Sequence, residues 1–243
     1  MKLQSTAALF AGLAVLLSAV GAAGQGTFQN LDFEAAQIPS GTIPNSGPIS
    51  ISNAFPGWSA SYRGGNGTYQ AIQVLYDGIS LGGPVISIIH HASGLYGTYD
   101  SLQGMYSAFL FGSDEGPFGH QVSTTISQTG LVPNGTTSIL MDVYGYPAQA
   151  WYGFTVSLGG QPIGMAPVQT FPSYTLYRGD VSAFAGHTAQ LSITALAPPL
   201  GDIDPNGVLL DDIRFETVPE PSVFALSALG ALLIGRCVRG GQS

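Results

Sequence analysis

Short β-type segments separated by turn residues restrict the fold of this chain more than any other feature. The segments are rich in Val, Ile, Thr, Tyr and Phe and are bounded by Gly, Pro, Asn or Asp, a composition typical of strands joined by tight turns. No stretch has the period of an amphipathic helix, and only Val181–Ala185 is predicted to form a helical turn. Eight strands are predicted: Thr68–Tyr76, Val85–His90, Tyr106–Phe111, His120–Ser127, Thr137–Tyr144, Tyr152–Leu158, Ala189–Leu196 and Val208–Phe215.

Regularly spaced short strands of this kind predict an all-β protein with two packed sheets, a β-sandwich. Turn residues such as Pro133-Asn134-Gly135 separate consecutive segments. No internal repeat and no Gly/Ser linker divides the body. We therefore expect one β-sandwich domain over residues 25–217.

The N-terminus differs from this body. Lys2 is followed by an apolar run from about Ala7 to Val20 and by the small residues Gly21 to Gly24. A positive charge, an apolar segment and small residues in this order are typical of a secretory signal peptide. We expect residues 1–24 to direct export and to be removed by signal peptidase.

The C-terminus, residues 218–243, has three parts: Val218-Pro219-Glu220-Pro221-Ser222, an apolar run to Gly235, and a tail that contains Arg236 and Arg239. As a helix, residues 222–235 would span roughly 21 Å, less than the roughly 30 Å of a bilayer core. This length suits transient insertion of a transmembrane helix better than permanent anchoring.

This three-part pattern resembles the PEP-CTERM sorting signal. The resemblance implies a Gram-negative bacterium that makes extracellular polysaccharide, and an exosortase-type membrane transpeptidase that cleaves near Pro219-Glu220-Pro221. It also implies transient residence in the inner membrane, then the cell surface or extracellular matrix. The chain departs from the usual form because Arg236 and Arg239 are separated and Gly240–Ser243 follow them.

The negative charge of residues 25–217 excludes nucleic acids as partners. Between Gln25 and Thr217 there are 13 acidic residues and three basic ones, Arg63, Arg178 and Arg214. A body this acidic repels the phosphates of nucleic acids. Cys237 is the only cysteine, so no intrachain disulfide is expected.

A second, scattered resemblance concerns the body. The segments Asn30-Leu31-Asp32-Phe33-Glu34, Phe55-Pro56-Gly57-Trp58, Asp180–His187 and Val208–Phe215 are similar to landmarks of galactose-binding-like jelly rolls. That fold is used by carbohydrate-binding modules. The resemblance implies a jelly-roll form of the predicted sandwich, and it implies sugar binding less directly, because a fold does not determine a function.

Oxygen-bearing side chains suggest a calcium site. Asp202, Asp204 and Asn206 alternate before Gly207, a spacing that suits a hard cation, although Ile213 stands where an EF-hand has glutamate. The jelly-roll resemblance implies a second version, because the ends of such domains meet and carboxylates there hold a structural ion: it pairs Glu34 on a first strand with Asp211 or Asp212 on the last. Two interpretations stay open: a structural calcium ion, or acids that cap turns and pair with Arg214.

Catalytic patterns are weak, so no enzymatic activity is expected. Gly78-Ile79-Ser80-Leu81-Gly82 matches a nucleophile elbow, but a β-type run follows it instead of the required helix. His90, His91 and His120 lack metal-ligand spacing, and Asp114-Glu115 is typical of a solvated turn.

Aromatic residues offer stacking platforms for sugar rings. Tyr96, Tyr99, Tyr146 and Trp151 flank loops with Gly or Pro and are the predicted ligand-binding residues.

Taken together, these features of the sequence favour an exported, non-enzymatic envelope or matrix protein associated with exopolysaccharide. The alternatives are a carbohydrate-binding module with a defined glycan ligand and, less favoured, a secreted hydrolase.

Overall fold

The computed structural model describes residues 27–42, 47–78, 83–91, 100–114, 121–146, 153–199 and 206–217. These residues contain fourteen strands, numbered in chain order, with helix α1 at Ile51–Ala54 and a 3-10 turn at Ser182–Phe184. The strands are β1 Pro48–Ser50, β2 Ser59–Gly64, β3 Gly67–Ala71, β4 Gln73–Tyr76, β5 Val85–His90, β6 Tyr106–Gly112, β7 Ser123–Leu131, β8 Thr136–Tyr146, β9 Phe154–Leu158, β10 Gln161–Ile163, β11 Met165–Thr170, β12 Thr175–Asp180, β13 Thr188–Ala195 and β14 Asn206–Thr217.

Two sheets form a sandwich, as the sequence predicts. The larger sheet has the order β1-β4-β5-β6-β14-β8-β12-β11, and the smaller has the order β10-β9-β13-β7-β2-β3. Within the described residues all pairings between neighbouring strands are antiparallel except that of β4 with β5. No helix in this part of the chain is long and apolar enough to cross a membrane.

Alternating side chains build the main core between the sheets. On β7, for example, Thr124, Ile126 and Gln128 are buried while Thr125 and Ser127 are half-buried on the other face. Ile126 is paired with Ile193 from β13 and belongs to the same core cluster as Met141 and Leu210 from the larger sheet. This period of two is the one that strand geometry imposes.

The larger sheet also buries part of its other face. Val85, Ile89, Phe109, Phe111 and Leu209 form a second apolar cluster, against which Leu102 and Tyr144 pack. Asp142 and Asp211 lie directly opposite each other on β8 and β14, and each is 1% exposed. This face of the larger sheet therefore carries both apolar and acidic buried side chains.

The predicted strands differ from the observed ones in three respects. Thr68–Tyr76 is two strands, because the chain passes from the smaller sheet to the larger one at Ile72, which is 77% exposed. The strand predicted at His120–Ser127 is displaced toward the C-terminus as β7. Strands β1, β2, β10, β11 and β12 and helix α1 were not predicted.

The terminal segments that the sequence marks for export and sorting, residues 1–24 and 218–243, lie outside the described residues.

Candidate functional site

An aromatic hollow of about 270 Å³ opens where β8 ends beside the β11–β12 hairpin. Four of its side chains are aromatic, and the set as a whole is Val143, Tyr144, Gly145, Thr170, Phe171, Pro172, Tyr174, Thr175 and Tyr177. We refer to it as the aromatic hollow. Aromatic faces combined with phenol hydroxyls suit ligands that are apolar on one side and rich in hydroxyls at the edge.

The hairpin turn fixes two of these rings. The backbone N–H of Phe171 donates to the carbonyl oxygen of Tyr174 at 2.8 Å, which closes the turn. The two ring centroids are 4.7 Å apart with planes inclined at 32°. On the opposite side, Tyr177 packs edge-on against Phe154 from the smaller sheet, with centroids 5.2 Å apart. One wall of the hollow is therefore held by contacts within the hairpin, and the other by a contact with the smaller sheet.

Gln103 connects the hollow to the buried acids. Its side-chain amide donates to Asp142 Oδ2 at 2.7 Å and to the Tyr174 hydroxyl at 3.3 Å. Its backbone N–H donates to Asp211 Oδ2 at 3.0 Å. Burial, together with the charge of Asp142, raises the pKa of Tyr174, so this phenol keeps its proton at neutral pH and remains a hydrogen-bond donor.

Asp211 holds the loop before β6 in place. Its Oδ2 accepts hydrogen bonds from Gln103 and from the Ser107 hydroxyl at 2.6 Å, and its Oδ1 accepts one from the Asp212 backbone at 2.7 Å. Burial raises the pKa of Asp211 to about 7, although these three donors act in the opposite direction. Burial also raises the pKa of Asp142, which the hydrogen bond from Gln103 opposes.

Glu34 holds the same loop from the other side. Its Oε1 accepts from the backbone N–H groups of Met105 at 2.7 Å and Tyr106 at 3.0 Å. A Cβ at Gly104, whose φ is +54°, would lie 2.3 Å from that oxygen unless Glu34 moved, so the turn favours glycine here. Glu34 lies in a turn, and its predicted position on a first strand is therefore wrong.

These contacts bear on the predicted calcium site. Glu34 and Asp211 lie close enough to interact electrostatically, as their pairing predicts, but their oxygens receive N–H and O–H donors. Asn206 is buried, and its amide donates to the carbonyls of Gly153 and Leu196. Among the described residues no three His, Cys, Asp or Glu side chains are grouped to hold a metal. Asp202 and Asp204 lie outside those residues, so calcium binding stays a prediction.

Asp212 forms the ion pair with Arg214 that the alternative to a calcium site predicts. It sits at a bulge in β14 with a φ of +43°, and its carboxylate pairs with Arg214. Of the two acids, Asp211 is the one whose carboxylate accepts hydrogen bonds from Gln103 and Ser107 in the segment that Glu34 also contacts.

Of the predicted ligand-binding residues, Tyr146 is the last residue of β8 and follows Gly145, which lines the hollow, in the chain. Tyr96, Tyr99 and Trp151 lie outside the described residues, as do the predicted sorting residues Val218, Pro219, Glu220, Pro221, Ser222, Arg236 and Arg239. Phe171, Tyr174 and Tyr177 were missed, although Pro172-Ser173 between aromatic residues is a readable turn signal.

Only some of the side chains in the weak catalytic patterns belong to the described residues. Ser80 and His120 lie outside the described residues. His91 forms an exposed pair with Asp100 at 3.2 Å. Asp77, which was not predicted, is fully buried with a φ of +45°, and its Oδ1 accepts from the backbone of His90 at 2.6 Å. Burial raises its pKa.

No protein-family model matches the chain, and no curated protein matches it either. Three solved structures are similar to it at low identity. TmCBM61 in complex with beta-1,4-galactotriose matches with 11% identity over 80% of this chain and 100% of its own, with a TM-score of 0.43. The enzymatically active domain of tailspike protein 4 from Bacteriophage CBA120 matches with 10% identity over 67% of this chain and 20% of its own, with a TM-score of 0.36.

The third is a beta-glucosidase from Kluyveromyces marxianus in complex with glucose. It has 9% identity over 79% of this chain and 19% of its own, with a TM-score of 0.32. The chain thus spans about a fifth of the length of the two larger proteins. TM-scores this low assign neither a fold family nor a function to the chain.

Proposed function

We propose that this protein is an exported, non-enzymatic envelope or matrix protein whose β-sandwich binds polysaccharide through the aromatic hollow. The observation that supports it is the set of aromatic side chains around one hollow of about 270 Å³, in which Tyr174 is oriented by Gln103. A sugar ring would stack its C–H face on an aromatic side chain, and its hydroxyls would bond to the phenols.

The described lining of the hollow supports binding without turnover. None of the described residues that line it carries a carboxylate. Glycoside hydrolysis in its usual form needs two carboxyl groups on either side of the scissile bond. Asp142, which Gln103 links to Tyr174, is 1% exposed.

The binding proposal is tested with variants of the hairpin. We expect Tyr174→Ala and Phe171→Ala each to weaken binding to an immobilised neutral polysaccharide by about tenfold or more, because each removes a large apolar contact. Tyr174→Phe keeps the ring and should lose less. The control is Tyr69→Ala, which removes another partly exposed tyrosine from β3.

Affinity electrophoresis across a panel of polysaccharides gives the readout. Wild-type affinity in both hairpin alanine variants would refute the hollow as the binding site. Saturable binding to a single class of glycan would favour the more specific alternative, a carbohydrate-binding module with a defined ligand.

Export and sorting form the second part of the proposal, and the terminal patterns support it. We expect mass spectrometry of the envelope fraction to detect a mature chain that begins near residue 25 and lacks Arg236 and Arg239. Mature chains that retain residues 1–24 or always retain both arginines would contradict it.

A further inference from the structure

The outer face of the smaller sheet is built almost entirely of hydroxyl and amide side chains. One row across four strands is Ser59, Ser127, Ser192 and Ser157, each paired with the next in register. The adjacent row is Gln70, Ser61, Thr125, Thr194 and Thr155. All nine side chains are exposed or half-buried. We call these two rows the hydroxyl face.

This face is free of carboxylates. None of the six strands of the smaller sheet contains Asp or Glu, whereas the body contains 13 such residues. The single charged residue on these strands is Arg63, which is exposed. Arg178 and Arg214 pair with Glu216 and Asp212, but Arg63 forms no ion pair among the described residues. The hydroxyl face is thus close to neutral on an acidic molecule.

A groove of about 480 Å³ crosses one end of this face. It runs over β2, β7, β13 and β9, three strand spacings or roughly 14 Å, and its polar lining includes Arg63, Gln121, Ser123, Thr125, Thr155 and Thr194. Gln121 has a φ of +60°, and its side chain donates to the carbonyl of Pro198 at 3.3 Å. Thr125 and Thr194 share a hydrogen bond of 2.8 Å across the floor.

We propose that this groove is a second polysaccharide site, separate from the aromatic hollow, which takes an uncharged glycan chain laid across the strands. Hydroxyl groups that both donate and accept match the hydroxyls of a glycan, and the exposed guanidinium of Arg63 adds a charge-assisted donor. A chain with repeated negative charges would meet the field of the acidic body, so the neutral face selects an uncharged one. The inference rests on the proposed function for the class of ligand, but it shares no residue with the hollow.

Two groove variants test it in the full-length protein, with hydroxyethyl cellulose as the uncharged probe and alginate as the anionic one. We expect Arg63→Gln to weaken binding to hydroxyethyl cellulose by about tenfold or more. Thr125→Val with Thr194→Val keeps the shape of the floor and should have a similar effect. Thr188→Val is the control, since it removes an exposed hydroxyl from the end of β13 outside the groove.

The same measurements in a Phe171→Ala/Tyr174→Ala background separate the two proposals. If this double variant still binds hydroxyethyl cellulose and Arg63→Gln abolishes that binding, the groove is supported, whether or not the hollow binds polysaccharide. Unchanged affinity in both groove variants, a preference for alginate, or no binding of the wild-type protein to hydroxyethyl cellulose would overturn it.

A footprinting measurement on the wild-type protein requires no variant to fold. Phenylglyoxal modifies accessible guanidinium groups, and mass spectrometry follows each arginine. Hydroxyethyl cellulose should slow modification of Arg63 severalfold and leave Arg178 unaffected. An unchanged rate at Arg63 would contradict the inference.

Discussion

Replacing Gly112 with alanine is expected to lower the free energy of unfolding by about 3 kcal/mol or more. A Cβ at this position would lie 2.3 Å from the carbonyl oxygen of Leu196 and 2.8 Å from its carbonyl carbon. These are backbone atoms and cannot rotate away. The same carbonyl accepts a hydrogen bond from Asn206 at 2.8 Å, and Asn206 lies opposite Gly112 on β14. The added methyl group would therefore push β6 away from the segment after β13 and disturb the contact of that segment with β14.

The matched control is Gly164→Ala. A Cβ at Gly164 meets no atom within 4 Å, and its φ does not lie in the left-handed region, so the change should stay within about 0.5 kcal/mol of wild type. Chemical denaturation of both variants gives the comparison. A loss below about 1 kcal/mol for Gly112→Ala would show that the junction of β6, β14 and the segment after β13 is looser than described.

The second large effect is a fall in stability as pH rises. The pKa of Asp211 is 3.8 in its ordinary state and about 7 in the folded protein, because burial disfavours the charged form. Between these values the folded state binds more protons than the unfolded chain. The stability contributed by this group is therefore fully present below about pH 4 and declines until about pH 7.

Asp211→Asn isolates this contribution, since it keeps the shape of the side chain and removes its titration. From about pH 5 to about pH 8, in excess EDTA, wild type should lose about 2.5 kcal/mol more stability than the variant. If the free energy of unfolding depended on pH in the same way for wild type and variant, the burial of this carboxyl group would be contradicted. Repeating the series in excess calcium tests the predicted calcium site, because a bound ion would keep Asp211 ionised and abolish the loss.

The strands that could be predicted are those with a strong local signal. Val85–His90 is predicted with its observed bounds, because a continuous β-branched run between turns has no competing interpretation. β11 and β12 were missed, because Met165–Thr170 and Thr175–Asp180 carry Pro167, Arg178 and Asp180 and lie near the exposed edge of the sheet. Edge strands need little apolar sequence, so composition does not mark them.

The site could be predicted only in part, for a related reason. The aromatic residues of the hollow come from β8 and from a hairpin that was not predicted, and only the topology places that hairpin beside β8. The charge separation of the two sheets likewise depends on which strands pair. By contrast, the pairing of Glu34 with the acids of the last strand was implied by the resemblance to galactose-binding-like jelly rolls, in which the two ends of the domain meet.

We propose that the aromatic hollow binds polysaccharide without cleaving it. A crystal structure with a neutral oligosaccharide tests this claim most directly. We expect an intact sugar ring stacked on Phe171 or Tyr174, with a hydroxyl bonded to the Tyr174 phenol that Gln103 orients. A cleaved product, or a hollow that stays empty while the sugar binds elsewhere in the domain, would contradict it.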